Sequence, residues 1–207
     1  MTFVVPNHFI KNRYKTLKKI DDFYILNHIT KLKESRVFAR NTMHSLVVLL
    51  EGEKSLYIDD KELKIKKGEI TLLSQNNYFT SYRVPKEGVY KSLILYFDDK
   101  YVFEFVNRYN LSIPKKSDTN LLHIKDDRWI KKWVQSFLDY IDNNISKDLI
   151  KVKIEEIFLL ILRTKQKELE NFFAFVINGS RDRVLHLLEN NSDIILHRGY
   201  VLSYISF

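Results

Sequence analysis

The chain has 207 residues, 45% hydrophobic and 29% charged, which is ordinary globular composition and enough to bury a core, so chain-wide disorder is excluded. It contains no cysteine, which rules out disulfides, thiolate catalysis and cysteine-ligated zinc. Of the net charge of +8, five positive charges, Lys11, Arg13, Lys15, Lys18 and Lys19, fall in residues 1–20, a stretch with no acid.

Residues 1–20 therefore read as a basic N-terminal arm, either solvated or in contact with phosphates. No early apolar region precedes a cleavage-like site, and the longest apolar stretches, such as 157–162, fall far short of the roughly twenty residues of a membrane span. The expectation is a cytoplasmic protein with no membrane partner.

From Phe23 onward the pattern is strand-like: Phe23–His28, Arg36–Ala39, Ser45–Glu51, Ser55–Asp59, Leu63–Lys66, Glu69–Leu73, Tyr78–Arg83 and Val89–Phe97. Eight short strands separated by Gly, Asp and Lys punctuation imply an antiparallel β-barrel or jelly roll over residues 21–97. In the hairpin around Asp59 and Asp60, Leu56, Ile58, Leu63 and Ile65 alternate onto one face. Gly68 allows a tight corner before the buried run Ile70–Leu73. Such a barrel is either packed shut or encloses a small-molecule pocket. Alternate residues name the candidate lining as Leu46, Val48, Leu50, Leu56, Ile58, Leu72, Phe79 and Tyr82. Tyr78, Tyr82 and Tyr90 with Arg83 form a candidate protein-docking surface.

After Phe97 the period changes, with Tyr101, Val102, Phe105, Val106 and Tyr109 at helical spacing behind Asp98 or Asp99 as N-cap. Residues 112–120, with Pro114, read as a loop. Asp126 or Asp127 then opens a helix striped by Trp129, Ile130, Trp133, Phe137, Leu138 and Ile141, and a further helix runs from about Asp148 to Thr164. That helix gathers Ile150, Ile154, Ile157, Phe158, Ile161 and Leu162 on one side, and Leu159 and Leu160 add more apolar surface than one stripe requires. That surface must be covered by the barrel, by the preceding helix or by a second subunit; residues 98–178 are taken as a helical dimerisation segment, with those six residues as the candidate homodimer interface and packing within one molecule as the alternative.

Catalytic and metal chemistry finds no foothold. His44 is the one histidine on the first hairpin, and Gln75, Asn76 and Asn77 stand where a second-hairpin ligand would be, so neither metal nor cofactor is expected. There is no GxSxG, phosphate-cradling Gly-rich loop or HExxH. Glu155–Glu156 and Asp139–Asp142 are spaced as solvated helix charges. No catalytic residue is assigned and an enzyme is not expected.

The run His44-Ser45-Leu46-Val47-Val48-Leu49-Leu50-Glu51-Gly52, followed by Lys67-Gly68-Glu69-Ile70-Thr71-Leu72-Leu73, resembles the two hairpins of the cupin-like N-terminal domain of AraC/XylS-family transcription regulators. Residues 151–160 resemble that family's dimerisation helix, and the F-x-x-R-Y helix at Phe105–Tyr109 resembles the activators of virulence and secretion genes. The resemblance covers about residues 20–190, with 179–190 similar to the linker and first helix leading to the DNA-binding half. It implies an α+β protein, a cupin-like antiparallel barrel followed by a helical dimerisation segment, that answers to a small-molecule effector or a protein antiactivator. The family continues with two helix-turn-helix motifs. The final NSDIILHRGYVLSYISF has neither amphipathic helices nor a basic recognition helix. Residues 179–207 then read as a linker helix and truncated remnant, with no DNA-binding residue in this chain and DNA reached only through the missing half. The expected function is the regulatory domain of an AraC-type regulator, truncated before its DNA-binding motifs. The alternatives are a stand-alone module that pairs with a full-length regulator and a metal-independent cupin enzyme.

Overall fold

A computed structural model describes residues 2–31, 34–58, 61–84, 88–125, 128–143 and 145–190. In chain order the elements are β1 (Thr2–Val5), α1 (Asn7–Lys11), β2 (Leu17–Ile20), β3 (Phe23–Thr30), β4 (Glu34–Asn41), β5 (His44–Glu51), β6 (Glu53–Ile58), β7 (Lys61–Ile65), β8 (Ile70–Leu73), β9 (Asn77–Arg83), β10 (Tyr90–Phe97), α2 (Asp99–Arg108), β11 (Leu121–Ile124), α3 (Arg128–Asp142) and α4 (Lys147–Asn190). The eight strands expected between Phe23 and Phe97 are all present. β1, β2 and β11 were not expected.

The strands do not close into a barrel. They form a five-stranded sheet, β1-β4-β9-β6-β7, and a six-stranded sheet, β11-β8-β5-β10-β3-β2. The sheets divide at Gly52, where the chain leaves β5 of one sheet for β6 of the other. Gly52 has φ +90°, and a Cβ there would stand 3.0 Å from the Arg83 carbonyl oxygen and 3.2 Å from the Tyr90 ring, so no larger residue fits the corner. Gly68 takes φ +86° in the turn before β8.

Two apolar layers result. Between the sheets lie Val47, Leu49 and Leu73 from one side and Leu56, Ile65 and Tyr78 from the other. On its far face the six-stranded sheet presents Leu46, Val48, Leu72, Leu93 and Leu95 to the helices. That sheet is therefore buried on both faces, which is why β5 and β10 read as unbroken apolar runs with no polar alternation. The hairpin β6–β7 has water on one side, and Leu56 pairs with Leu63 as its alternation predicts. The side chain of Ile58 lies outside the described residues.

The basic arm is part of the sheets. β1 pairs in parallel with β4, β2 pairs with β3, and Lys18 Nζ donates to the Ile141 carbonyl at 3.0 Å. Its few apolar residues, Phe3, Val5 and Leu17, pack on the layer between the sheets and outweigh the lysines between them in deciding where the backbone goes.

Asp98 caps α2, its Oδ1 accepting from the Asp99 backbone N–H at 2.7 Å; the carboxylates proposed to open α3 lie outside the described residues. α4 runs far past Thr164, with a break at Lys165 (φ −142°, ψ 48°). Beyond the break Leu169, Phe172, Phe173 and Val176 are buried in the same core as Ile154 and Phe158. The Phe158 ring meets Phe105 at 5.2 Å and Phe173 at 5.1 Å, both edge-on, a favoured geometry for aromatic pairs. Trp133 is anchored by its indole N–H, which donates to the Lys153 carbonyl at 2.8 Å.

Candidate functional site

Between the two sheets is a cavity of about 340 Å³, within the size range of small-molecule sites. Its walls come from seven of the strands and from the N-terminal segment, which contributes Phe3, Val5, His8, Phe9 and Tyr14. β4 supplies Val37, Ala39 and Asn41, β5 supplies Ser45 and Val47, and β10 supplies Tyr90, Ile94 and Tyr96. Leu56, Leu73, Tyr78 and Tyr82 complete the apolar surround, with His28, Thr30, Lys54 and Thr80 as polar groups.

The polar groups are held in place. Asn41 Nδ2 donates to Ser45 Oγ at 3.1 Å, and Tyr78 Oη donates to the Asn120 carbonyl at 2.9 Å. Burial pushes the Tyr78 phenol up to about 12, against the opposing pull of its Ser74 contacts. Tyr82 and Tyr90 stack at 4.6 Å, and His28 meets them edge-on at 6.1 and 5.6 Å. Burial, with the nearby Lys54 charge, lowers the His28 pKa to about 4, so at neutral pH the ring is uncharged and Lys54 is the cavity's cation among the described residues.

Of the lining read from the sequence, Leu56 and Tyr82 reach the cavity. Leu46, Val48 and Leu72 lie on the opposite face of the six-stranded sheet, packed against the helices, and Leu50 packs against that same core. A one-residue change of phase moves every side chain of a strand to the other face, and an unbroken apolar strand gives no sign of which phase is correct. Phe79 points outward, its ring between Phe38 at 5.4 Å and Tyr57 at 5.1 Å. The docking surface fares likewise: Tyr78 and Tyr90 are buried and, with Tyr82, belong to the cavity, whereas Arg83 is exposed. Missed altogether were the N-terminal aromatics. Phe3, Phe9 and Tyr14 among lysines were the one signal that the arm covers something apolar.

The proposed dimer residues are also placed inside one molecule. Ile150, Ile154, Ile157, Phe158 and Ile161 are buried, and Leu162 packs against the same core. The stripe is covered by α2, α3, the six-stranded sheet and the second half of α4, and of the two surplus residues Leu160 packs on the same core while Leu159 stays exposed. Among the described residues of α4 the exposed large apolar side chains are Val152 at 55%, Leu159 at 40% and Val184 at 52%.

His44 is buried beneath β5, on the helix side. Its Nδ1 accepts from the Gln75 backbone N–H at 3.1 Å, so Nε2 carries the hydrogen donated to Asp99 Oδ1 at 2.5 Å. Both ring nitrogens are thereby committed. Among the described residues no group of three or more His, Asp or Glu side chains could hold a metal, and no helix is long and apolar enough to cross a membrane.

Two facing sheets over a layer of helices, with a ligand-sized cavity between the sheets, describe the fold, and the sequence match to a family model gives the class, an N-terminal regulatory domain of AraC type. Residues 44–175, well over half the chain, match the family described as the ExsA N-terminal regulatory domain, and the chain belongs to that family. Among solved structures, ToxT of Vibrio cholerae bound to (E)-4-(8-methylnaphthalen-1-yl)but-3-enoic acid aligns with a TM-score of 0.59 at 14% identity, over 89% of this chain and 74% of that one. Wild-type ToxT with an unsaturated fatty acid bound gives 0.56 at 14% identity, over 84% and 65%, and an apo ToxT variant 0.57 at 12%, over 72% and 59%. This chain thus spans less than two thirds of those last two proteins, and at such identity the likeness speaks for the fold alone. No curated protein matches the sequence.

Proposed function

We propose that the cavity between the sheets is an effector site, that its ligand is an amphipathic acid with an apolar body, and that the domain acts in the cytoplasm as the sensing half of an AraC-type regulator. The observation that carries this is the lining: tyrosine and aliphatic walls around about 340 Å³ with a single half-buried amine, Lys54, to meet an anionic group. Two of the structurally similar ToxT structures hold acids of this class, an unsaturated fatty acid and an aryl butenoic acid. Binding, not catalysis, fits these groups: His28 is held neutral, and His44 is committed to structural hydrogen bonds on the other side of the sheet. Calorimetric titration with oleate tests the reading. Wild type binds, and Leu56→Trp, which fills the cavity, weakens binding roughly tenfold or more while the fold persists. Equal affinity in the two proteins would place the ligand elsewhere.

Subunit pairing belongs to the same proposal, on a different face from the buried stripe. Val152 and Leu159 stand two turns apart on the outer side of α4, with the exposed Trp129 of α3 stacked under the Arg163 guanidinium at 5.4 Å. A dimer would cover these side chains without disturbing the core.

A further inference from the structure

β5 separates the cavity from the helices by the thickness of one strand. Ser45 faces the cavity, hydrogen-bonded to Asn41, and His44, the preceding residue, faces the other way onto Asp99. Asp99 opens α2, where a carboxylate is favoured by the helix end. Its second oxygen, Oδ2, accepts from Arg183 at 2.5 Å, and Ser180 adds a further hydrogen bond to the same carboxylate. One side chain therefore joins the cavity wall's strand, the start of α2 and the far end of α4.

Apart from this fastening, the described part of that end is held by Ile177, which packs against the core, and by one polar contact. Among the described side chains Val176 is the last buried one of α4, and from Ile177 to Val184 each is half-buried or exposed. The polar contact runs from Asn178 Nδ2 to the Lys115 carbonyl at 3.0 Å. Gly179 within this stretch lowers helix propensity relative to alanine. A helix end with few apolar contacts opens locally at low cost, so a polar fastening can govern it.

We propose that His44, Asp99 and Arg183 form a latch that couples the state of the cavity wall to the docking of the departing helix, residues 177–190. A filled cavity packs the Asn41–Ser45 wall, holds β5 and His44 in register with Asp99, and tightens the helix end; a loosened wall releases it. The proposal rests on the effector reading for the nature of the signal, but the coupling is a property of the protein alone.

Amide hydrogen exchange of residues 177–184 in the full chain tests it, in wild type, Asn41→Ala, Arg183→Gln and the double variant. The latch predicts that Asn41→Ala, distant from the helix end, speeds its exchange roughly fivefold, that Arg183→Gln does so as well, and that the double variant exchanges no faster than Arg183→Gln. Additive effects, or an unchanged helix end in Asn41→Ala, overturn the proposal. Should Asn41→Ala not fold, Tyr78→Phe, which removes one hydroxyl from the same wall, takes its place in the cycle. No ligand enters the experiment, so a cavity that binds no acid would defeat the effector reading and leave this result standing.

Discussion

At His28 the cavity records its own polarity. Burial and then Lys54 bring the ring's pKa to about 4, whereas an unfolded chain takes up that proton near 6.5. Between those values the unfolded state binds more protons than the folded one, so stability rises with pH through the window, by at most about 3 kcal/mol. The melting temperature should climb from pH 4.5 to 7, and the climb should flatten in His28→Gln; an identical slope in the variant would contradict it. Asp99 acts lower on the scale. Burial pushes its carboxyl up, but hydrogen bonds from His44 and Ser180 and the Arg183 charge outweigh this and hold it at about 2. Its contribution, about 2 kcal/mol, is complete above the ordinary carboxylate pKa and is lost as pH falls through 2. Asp99→Asn should lower urea stability at neutral pH by roughly that amount and remove this part of the acid limb.

Among the elements, α4 departs furthest from the sequence reading. Its first half was recognisable from Ile150, Ile154, Ile157 and Ile161, but the cover for that stripe comes from Leu169, Phe172, Phe173 and Val176, beyond a break at Lys165 that neither proline nor glycine marks. Without the second half in place, the stripe reads as a subunit interface. Phe173→Ala should therefore cost about 3–5 kcal/mol in urea denaturation, as a core position does. The paired change Val152→Glu and Leu159→Glu should leave monomer stability within about 0.5 kcal/mol and abolish dimers in sedimentation; dimers that persist would place the interface elsewhere. The strands from β3 to β10 were legible because turn residues such as Gly52 and Gly68 bound them. β2 was hidden by the lysines in and around it, and β1 and β11, the latter with His123 in its middle, by their length of four residues.

For the molecule as a whole, three layers decide what the sequence could reveal. A strand with one wet face announces its orientation, and Leu56 lies on the face between the sheets. β5, buried on both faces, does not, and Leu46 and Val48 exchange roles with Ser45 and Val47. The same layering underlies the proposed function, since the middle sheet touches the cavity on one side and the helices on the other. The most direct measurement is of intermolecular nuclear Overhauser effects between oleate and the methyl groups of the labelled protein. Contacts to Val47, Leu56, Leu73 and Ile94 with none to Leu46, Val48 or Leu72 are the predicted result. Contacts to the second set, or a bound acid that touches neither, would contradict a site between the sheets.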